Sequence, residues 1–320
     1  MDKKALINKY FQKAHLLQVR NSFYANTLSS LFQWLVANDS TCEDKTTNYL
    51  KIKSVSKACI ISKQELLLSG LEEIAFLLTK HTHLKIKTLY KDGQLVRSGN
   101  VIAEIEGDAK EILALERTIL NILQRLSGIA TETHRFIRLL SSRTIHCKKP
   151  FIAATRKTPW MSLDKKAVAT GGGLTHRLSL LDGILIKDNH ISIFRKTHNI
   201  SSFADSIDYI LKVLQPEIKG QLVEIEVENK EEAAETLKAI YHLKSDADFA
   251  LLLDNFTPLR AQRLLSLLKT KFNLGNIILE ASGGINSKNI DTWLRLDLDI
   301  ISVGALTHSA QAANLSLELA

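Results

Sequence analysis

Cationic residues recur along this chain at positions that suit a ligand with several negative charges. Arg117 lies in a long segment of apolar periodicity, and Arg156 and Lys157 follow an apolar run that begins at Phe151. His176 and Arg177 come after the glycines Gly171, Gly172 and Gly173, and Lys187 ends the run Ile184-Leu185-Ile186. Two carboxylates or several phosphates match such a set, because arginine offers a planar fork for bidentate contact with oxyanions. Each residue taken alone is more simply a surface charge; the repeated placement at the ends of apolar runs is what points to a shared site. Carboxylates form a second set. Glu224, Glu226 and Glu228 alternate along one run, so strand geometry turns all three to one face, and Asp254 ends the next run. Such a group repels itself unless a metal, a cation or a ligand hydroxyl compensates. Hard oxygen donors of this kind suit Mg²⁺ carried on substrate phosphates. Pairing with nearby lysines is the simpler alternative, expected for at least one glutamate. Glycine turns form the third set: Ser282-Gly283-Gly284, read as entering a helix, and Gly304-Ala305 one run later. There the backbone can approach an anion closely, at the favourable end of a helix dipole.

Six short β-branched runs carry most of these residues, beginning at Phe151, Ile184, Val223, Phe249, Ile277 and Ile300. Segments of helical spacing lie between most of them, at Phe203 to Leu214, Glu231 to His242 and Leu259 to Leu268. Strand and helix in alternation predict a parallel sheet. If the sheet curls into a barrel, its strand-end residues converge on the C-terminal face. The first hundred residues follow another plan. Gln64 to His81 has helical spacing, 83–89 and 101–106 alternate, and Lys91-Asp92-Gly93-Gln94 is a turn signal. This part reads as an α+β module. Asp108 with Glu111 then signals the start of a long helix running beyond Leu126. Its other face carries Arg117, Asn121, Gln124 and Gly128, which periodicity alone reads as a solvated stripe. Asn229 reads as a helix cap.

The 320 residues are 45% apolar, enough for a substantial core, and carry a net charge of +8. Basic residues are scattered, without the dense blocks or aromatic interleaving of a nucleic-acid surface, so no nucleic-acid partner is expected. No apolar stretch approaches the roughly 18 residues of a membrane span, and the opening Met1-Asp2-Lys3-Lys4 does not resemble a secretory signal. A cytoplasmic protein with no membrane association is expected. Cys42, Cys59 and Cys147 lie far apart, without the spacing of a zinc site or a disulfide framework, and read as free thiols used in packing.

Several strings together resemble the quinolinate phosphoribosyltransferase family, also called carboxylating nicotinate-nucleotide pyrophosphorylases. They are Glu116 to Thr131, Thr155-Arg156-Lys157-Thr158, the glycine run with His176-Arg177, Ile184 to His190, Leu279 to Ile285 and Ile301 to His308. The resemblance spans about Phe23 to Leu317 in order. It implies an N-terminal α+β open sandwich domain at 1–112, joined by 306–320, and a partial α/β barrel, TIM-like, at 113–305. It implies conversion of quinolinate and phosphoribosyl pyrophosphate, with Mg²⁺, to nicotinate mononucleotide, carbon dioxide and pyrophosphate. It also implies a homodimer, or a larger oligomer built from it, with Arg117 reaching the partner's site. Arg156, Lys157, His176, Arg177 and Lys187 would line the quinolinate and pyrophosphate pocket, while Glu226 and Asp254 would hold the ribose hydroxyls and Mg²⁺. Ser282, Gly283, Gly284, Gly304 and Ala305 match the 5′-phosphate loops. Lys157, Lys187, Glu226 and Asp254 are the residues expected to act on the reaction itself.

The chain departs from the family pattern in one loop. Where the family usually reads Asp-Thr-Arg-Lys-Thr-Thr-Pro-Gly with a later Arg and Glu-Lys, this chain has Ala154, then Thr158-Pro159-Trp160-Met161 and Asp164-Lys165, shorter before the glycine run. Ser179 replaces a common glycine. The loop adjoins the base pocket, so a nicotinate phosphoribosyltransferase stays open as an alternative. A molybdenum-transport-associated relative and a catalytically silent phosphosugar-binding protein are the others. The Ile186-Lys187-Asp188-Asn189-His190 string argues against the former, and retention of Lys187, Glu226 and Asp254 together argues against the latter.

Overall fold

A computed structural model describes all residues except 1, 40–43, 143–148, 244 and 320, so Cys42 and Cys147 lie outside the described residues. In chain order the elements are α1 (Lys3–Phe11), α2 (Ser22–Asn38), α3 (Lys45–Tyr49), β1 (Val55–Ser62), β2 (Leu66–Leu67), α4 (Leu71–His81), β3 (Lys85–Thr88), β4 (Leu95–Val96), β5 (Val101–Asp108) and α5 (Ala109–Ser142). They continue through β6 (Phe151–Ala153), α6 (Ser162–Thr170), β7 (Ile184–Ile186), α7 (Asp188–His198), α8 (Phe203–Leu214), β8 (Leu222–Val227), α9 (Lys230–His242) and β9 (Asp248–Asp254). The last are α10 (Pro258–Lys271), β10 (Ile277–Ser282), α11 (Ile290–Trp293), β11 (Ile300–Ser302), α12 (Ala305–His308) and β12 (Leu315–Leu319). Among the described residues, no helix is long and apolar enough to cross a membrane.

The chain forms two compact units, each assembled from separate stretches. One takes Met1–Lys13, Leu139–Lys157 and Leu174–Ala305; the other takes Ala14–Arg138, Thr158–Gly173 and Leu306–Ala320. A linear division at 112/113 falls inside α5 and leaves residues 1–13 on the wrong side, for a reason visible in their packing. Leu6, Ile7 and Phe11 of α1 are at most 3% exposed and join a core with Leu222, Ala250, Ile278 and Ile300, all near the starts of their strands. Each such side chain contributes about 1.5–3 kcal/mol by leaving water. The Tyr10 hydroxyl also hydrogen-bonds Asp248 (2.7 Å), and Lys3 pairs with Asp299 (2.7 Å). The short helix therefore closes the N-terminal end of the sheet.

That sheet is the one the six runs predict. Its order is β6-β11-β10-β9-β8-β7, and every pair is parallel. Every residue of β8 is buried, which is why its apolar positions are not confined to one face. Helices α8, α9 and α10 occupy the segments that helical spacing marks out. The arrangement is a partial α/β barrel, with all six C-terminal strand ends on one edge.

The other unit holds an antiparallel sheet of order β12-β1-β5-β3, with the alternating segments 83–89 and 101–106 giving β3 and β5. One expectation fails here. Helical spacing extends back to Gln64, yet α4 begins at Leu71, and Leu66–Leu67 instead pairs with Leu95–Val96. Gly70 sits at φ +100°, and its amide and that of Leu71 donate to the Asp92 carboxylate (3.1 and 2.9 Å), so the turn around Gly93 supplies the cap. Helix α5 starts as expected after Asp108, whose carboxylate accepts from the Lys110 amide (2.9 Å), while Glu111 accepts from the His83 amide instead of closing a capping box.

The polar stripe on α5 is solvated only in part. Arg117 and Asn121 are exposed, but Gln124 donates to the Leu315 carbonyl (2.9 Å) and its own carbonyl accepts from the Ala313 amide (2.8 Å). A Cβ on Gly128 would stand 2.0 Å from the Gln311 carbonyl oxygen. Glycine there admits the segment that leads into β12. Gly128→Ala should displace that segment and destabilise the protein by about 1–3 kcal/mol, because overpacking against backbone has no flexible side chain to absorb it. Thermal melting and proteolysis of the C-terminal segment check this; unchanged melting with an intact C-terminus would contradict the close approach.

Candidate active site

Parallel pairing turns residues distant in the chain into neighbours along one edge. Across the sheet, the C-terminal strand ends carry Thr155, Arg156 and Lys157 after β6, Gly304 and Ala305 after β11, and Ser282 closing β10 with Gly283 and Gly284 beyond it. Asp254 closes β9, Glu226 lies near the end of β8, and Lys187 follows β7. Register fixes the detail: Ser282 lies beside Asp254, and Glu226 beside Leu252.

Lys187 Nζ donates to the Glu226 carboxylate at 3.2 Å, so the expected pairing of one glutamate with a lysine is present. Burial lifts the Glu226 carboxyl above its ordinary pKa; Lys187 opposes this, while the nearby charges of Asp254 and Asp188 add to it. Burial likewise lifts Asp254, against the pull of Lys187 and Lys157. The lysine is placed by its own helix start, since its amide donates to His190 Nδ1 at 3.0 Å just before α7. His190 thereby acquires a role that spacing alone does not reveal.

Glu228 does not join this group, contrary to the expected shared face. Strand β8 ends at Val227, the Glu228 side chain is exposed, and its amide donates to the Glu232 carboxylate (2.8 Å). The alternation stops where the strand stops. Asn229 does cap α9, accepting from the Glu232 amide at 2.9 Å.

The glycine turns also differ in part from expectation. Gly283 and Gly284 have φ of +96° and +64°, and a Cβ on Gly283 would lie 2.7 Å from the Asn255 amide nitrogen. The Asn255 amide donates to the Ser282 carbonyl (3.0 Å), tying the ends of β9 and β10 together. No helix follows this turn directly, because α11 begins only at Ile290; Gly304 does lead into α12. What the first turn offers an anion is therefore backbone amides without a helix dipole.

His176 and Arg177 are not at a strand end. They follow Leu174, which bridges to Ala153, and both are largely buried, at 7% and 8% exposure. His176 Nε2 faces Glu224 (3.4 Å) and Glu280 (3.7 Å). Glu224 is driven well above its ordinary pKa by burial first and then by Glu280. Burial, and then Arg156, lower the pKa of Arg177, which also feels Glu224 and Asp182. A cavity of about 230 Å³ is bounded by Lys13, His176, Arg177, Asp182 and Glu224 together with the starts of β7 and β8. Glu280 has only one local signal, a glutamate inside an otherwise apolar run two residues before Ser282.

Arg117 belongs to the other unit, on α5, with its side chain 59% exposed and the Glu116 carboxylate 3.9 Å away. In that same unit the Thr158-Pro159-Trp160 loop is organised around Asp164. This fully buried carboxylate accepts two bonds of 2.7 Å from Arg125, one from the Thr158 hydroxyl and one from the Trp160 amide (3.4 Å). The Arg125 guanidinium lies 5.3 Å from the centre of the Trp160 ring. Neither Arg125 nor Asp164 stands out in the sequence, since each looks like an ordinary charged helix residue.

Among the described residues, two groups bring three metal-ligating atoms within 4.8 Å of one another, His176 with Glu224 and Glu280, and Glu72 with Glu73 and Asp92. Neither includes Glu226 or Asp254. Those two carboxylates fit a cation that takes most of its ligands from elsewhere, as Mg²⁺ does with substrate phosphates.

A parallel α/β sheet with cations, paired carboxylates and glycine turns along its C-terminal edge defines a barrel-type site for polyanionic, phosphate-bearing ligands. The sequence matches the profiles described as "Quinolinate phosphoribosyl transferase, C-terminal domain" over residues 129–318 and "Quinolinate phosphoribosyl transferase, N-terminal domain" over residues 44–127. It is 38% identical to a probable carboxylating nicotinate-nucleotide pyrophosphorylase of Methanocaldococcus jannaschii, covering 86% of this chain and 91% of that protein. It is 34% identical to the chloroplastic carboxylating enzyme of Arabidopsis thaliana, covering 82% of this chain and 74% of that one. The nicotinate-nucleotide pyrophosphorylase structure from Francisella tularensis superposes with a TM-score of 0.74 at 30% identity, covering 92% of this chain and 96% of the other. The chain belongs to the quinolinate phosphoribosyltransferase family.

The charge balance at Lys187 has a direct consequence. A carboxyl whose pKa is raised by folding favours the protonated form, so its ionisation weakens the folded state as pH climbs from the ordinary carboxyl range through the raised value. Lys187 opposes that rise. Lys187→Met should therefore make Glu226 and Asp254 titrate at higher pH than in the wild type, as read by ¹³C NMR of the side-chain carboxyls. Titration at the same or lower pH would mean that Lys187 does not balance them.

Proposed function

We propose that this protein is a pentosyltransferase that converts quinolinate and phosphoribosyl pyrophosphate to nicotinate mononucleotide, carbon dioxide and pyrophosphate, a step of NAD biosynthesis. The observation that carries this reading is the Lys187–Glu226 contact of 3.2 Å, with Asp254 beside it, on the strand edge that also bears Arg156, Lys157 and the glycine turns. A diacid and a pyrophosphate demand many cations, and a ribose demands acceptors for its hydroxyls. Both sets are present.

In this reading Arg156, Lys157, His176, Arg177 and Lys187 bind the two quinolinate carboxylates and the pyrophosphate. Glu226 and Asp254 accept hydrogen bonds from the ribose hydroxyls and hold the donor sugar in place. The backbone amides around Ser282, Gly283, Gly284, Gly304 and Ala305 receive the 5′-phosphate. Mg²⁺, bound through the pyrophosphate and near Glu226 and Asp254, would neutralise charge on the leaving group. As the bond from C1′ to the pyrophosphate oxygen breaks, that oxygen keeps the electron pair, and the fixed carboxylates stabilise the positive charge developing on the ribose. The quinolinate nitrogen forms the new bond to C1′. The bond from C2 to its carboxylate then breaks, the pair stays on the ring beside the pyridinium nitrogen, a solvent proton takes its place, and carbon dioxide leaves. No residue has to act as a general acid or base.

A homodimer is part of the proposal. Arg117, exposed on α5, would enter the partner's site and meet quinolinate there, which accounts for an arginine on the uncovered half of the polar stripe.

Purified protein with Mg²⁺ and phosphoribosyl pyrophosphate should release labelled carbon dioxide from quinolinate labelled in its 2-carboxylate. Turnover of nicotinate alone would overturn the substrate assignment, and turnover of neither would mark a binding protein. Arg117→Ala should yield an inactive dimer; mixed with an equal amount of Lys187→Ala and allowed to exchange subunits, it should recover about a quarter of wild-type activity, as expected of sites shared across a two-fold axis. Lack of recovery, with exchange verified, would count against a shared site.

A further inference from the structure

The His176 ring is enclosed by groups that the proposed chemistry does not use. One ring nitrogen, Nε2, faces two carboxylates from different strands, Glu224 of β8 at 3.4 Å and Glu280 of β10 at 3.7 Å. Glu280 is fully buried and Glu224 is 2% exposed. The ring itself stacks on Phe11 of α1, with 4.9 Å between centroids and 23° between planes. The backbone is held as well. The His176 amide donates to the Phe11 carbonyl at 3.0 Å, and the Thr175 hydroxyl donates to the same carbonyl at 2.9 Å. These bonds keep His176 at φ +53°, a left-handed conformation that non-glycine residues adopt only when surroundings impose it.

Three separate segments thus converge on one side chain. A carboxylate sealed in a barrel interior is costly unless its partner is well placed. Two such carboxylates aimed at one imidazole therefore define that ring's position closely. The next residue is Arg177, whose direction follows from the same fixed backbone. We propose that Glu280 and Glu224, with Phe11, are positioning residues for substrate capture, holding the His176 ring and through its backbone the Arg177 guanidinium where a pyridine dicarboxylate must meet them. The inference rests on the assignment of His176 and Arg177 to the diacid.

Glu280→Gln keeps the side-chain shape and removes the ionisable carboxyl. It should raise KM for quinolinate about tenfold or more, as expected when a buried polar contact is lost, while KM for phosphoribosyl pyrophosphate changes less than about twofold. His176→Ala added to Glu280→Gln should cost little beyond either single change, because both act through one ring. Equal rises in both KM values, or fully additive losses, would overturn the proposal in favour of a general packing role. A second readout does not depend on turnover. In protein with ¹⁵N-labelled histidine, the His176 ring signals should shift in Glu280→Gln and in Glu224→Gln; unchanged signals would overturn the positioning role. If the wild type turns over no quinolinate, the proposed function fails and the ring signals alone decide whether the carboxylates hold His176. If Glu280→Gln does not fold, Glu224→Gln carries the same kinetic and spectroscopic expectations.

Discussion

Buried like charges must be compensated, and that requirement shapes the interior of the parallel sheet. Strands β8, β9 and β10 bring Glu224, Glu226, Asp254 and Glu280 into one partial barrel, where like charges repel more strongly than in water. The structure answers with basic groups from other segments. Lys187, just before α7, meets Glu226; Lys157, just after β6, lies within electrostatic reach of Asp254; His176, from the stretch after Leu174, meets Glu224 and Glu280. Strand alternation sets Glu224 and Glu226 at two depths of the same face, giving one acidic cluster within the sheet and one near its rim. The rim cluster remains accessible enough to hold a ligand. The inner one is occupied in holding a side chain.

This division depends on how the sheet ends are finished. At the N-terminal end, α1 inserts Leu6, Ile7 and Phe11 into the core and uses the last of these to stack on His176. At the C-terminal end, the left-handed Asn255 and the glycines 283 and 284 let β9 and β10 finish side by side without a helix intervening. The same logic of close approach operates in the other unit, where Gly128 lets the segment before β12 cross α5 and Asp164 collects Arg125, Thr158 and Trp160 into one buried cluster. The Thr158-Pro159-Trp160 loop is thus held by a buried carboxylate of its own unit.

Much of this was legible beforehand. Six β-branched runs became six parallel strands, and three helical segments fell where spacing placed them, because apolar periodicity reports local burial directly. Lys187, Glu226, Asp254 and the glycines lie at or near strand ends for a similar reason: a residue that ends an apolar run falls where a strand ends. Other features lacked a local signal. Residues 64–70 have helical spacing but are turned into a strand and a cap by Gly70 and by Asp92, more than twenty positions on. Glu228 looked equivalent to Glu226 because alternation does not announce where a strand stops. His176 looks like a strand-end residue in the sequence and lies in the interior. The α5 stripe looked solvated, and half of it is covered by residues nearly two hundred positions later.

The sequence by itself determined the family, the parallel α/β architecture and the residue types that a polyanionic ligand requires, since these follow from periodicity and from motifs whose members are close in the chain. Only the tertiary structure decided which carboxylate each cation serves, that α1 belongs with the sheet, and that Glu280 and Phe11 stand behind His176. Those pairings join segments as much as 269 positions apart, Phe11 to Glu280, and depend on register and sheet order. Register and order are fixed by the packing of the whole unit, so no stretch of residues read alone contains them.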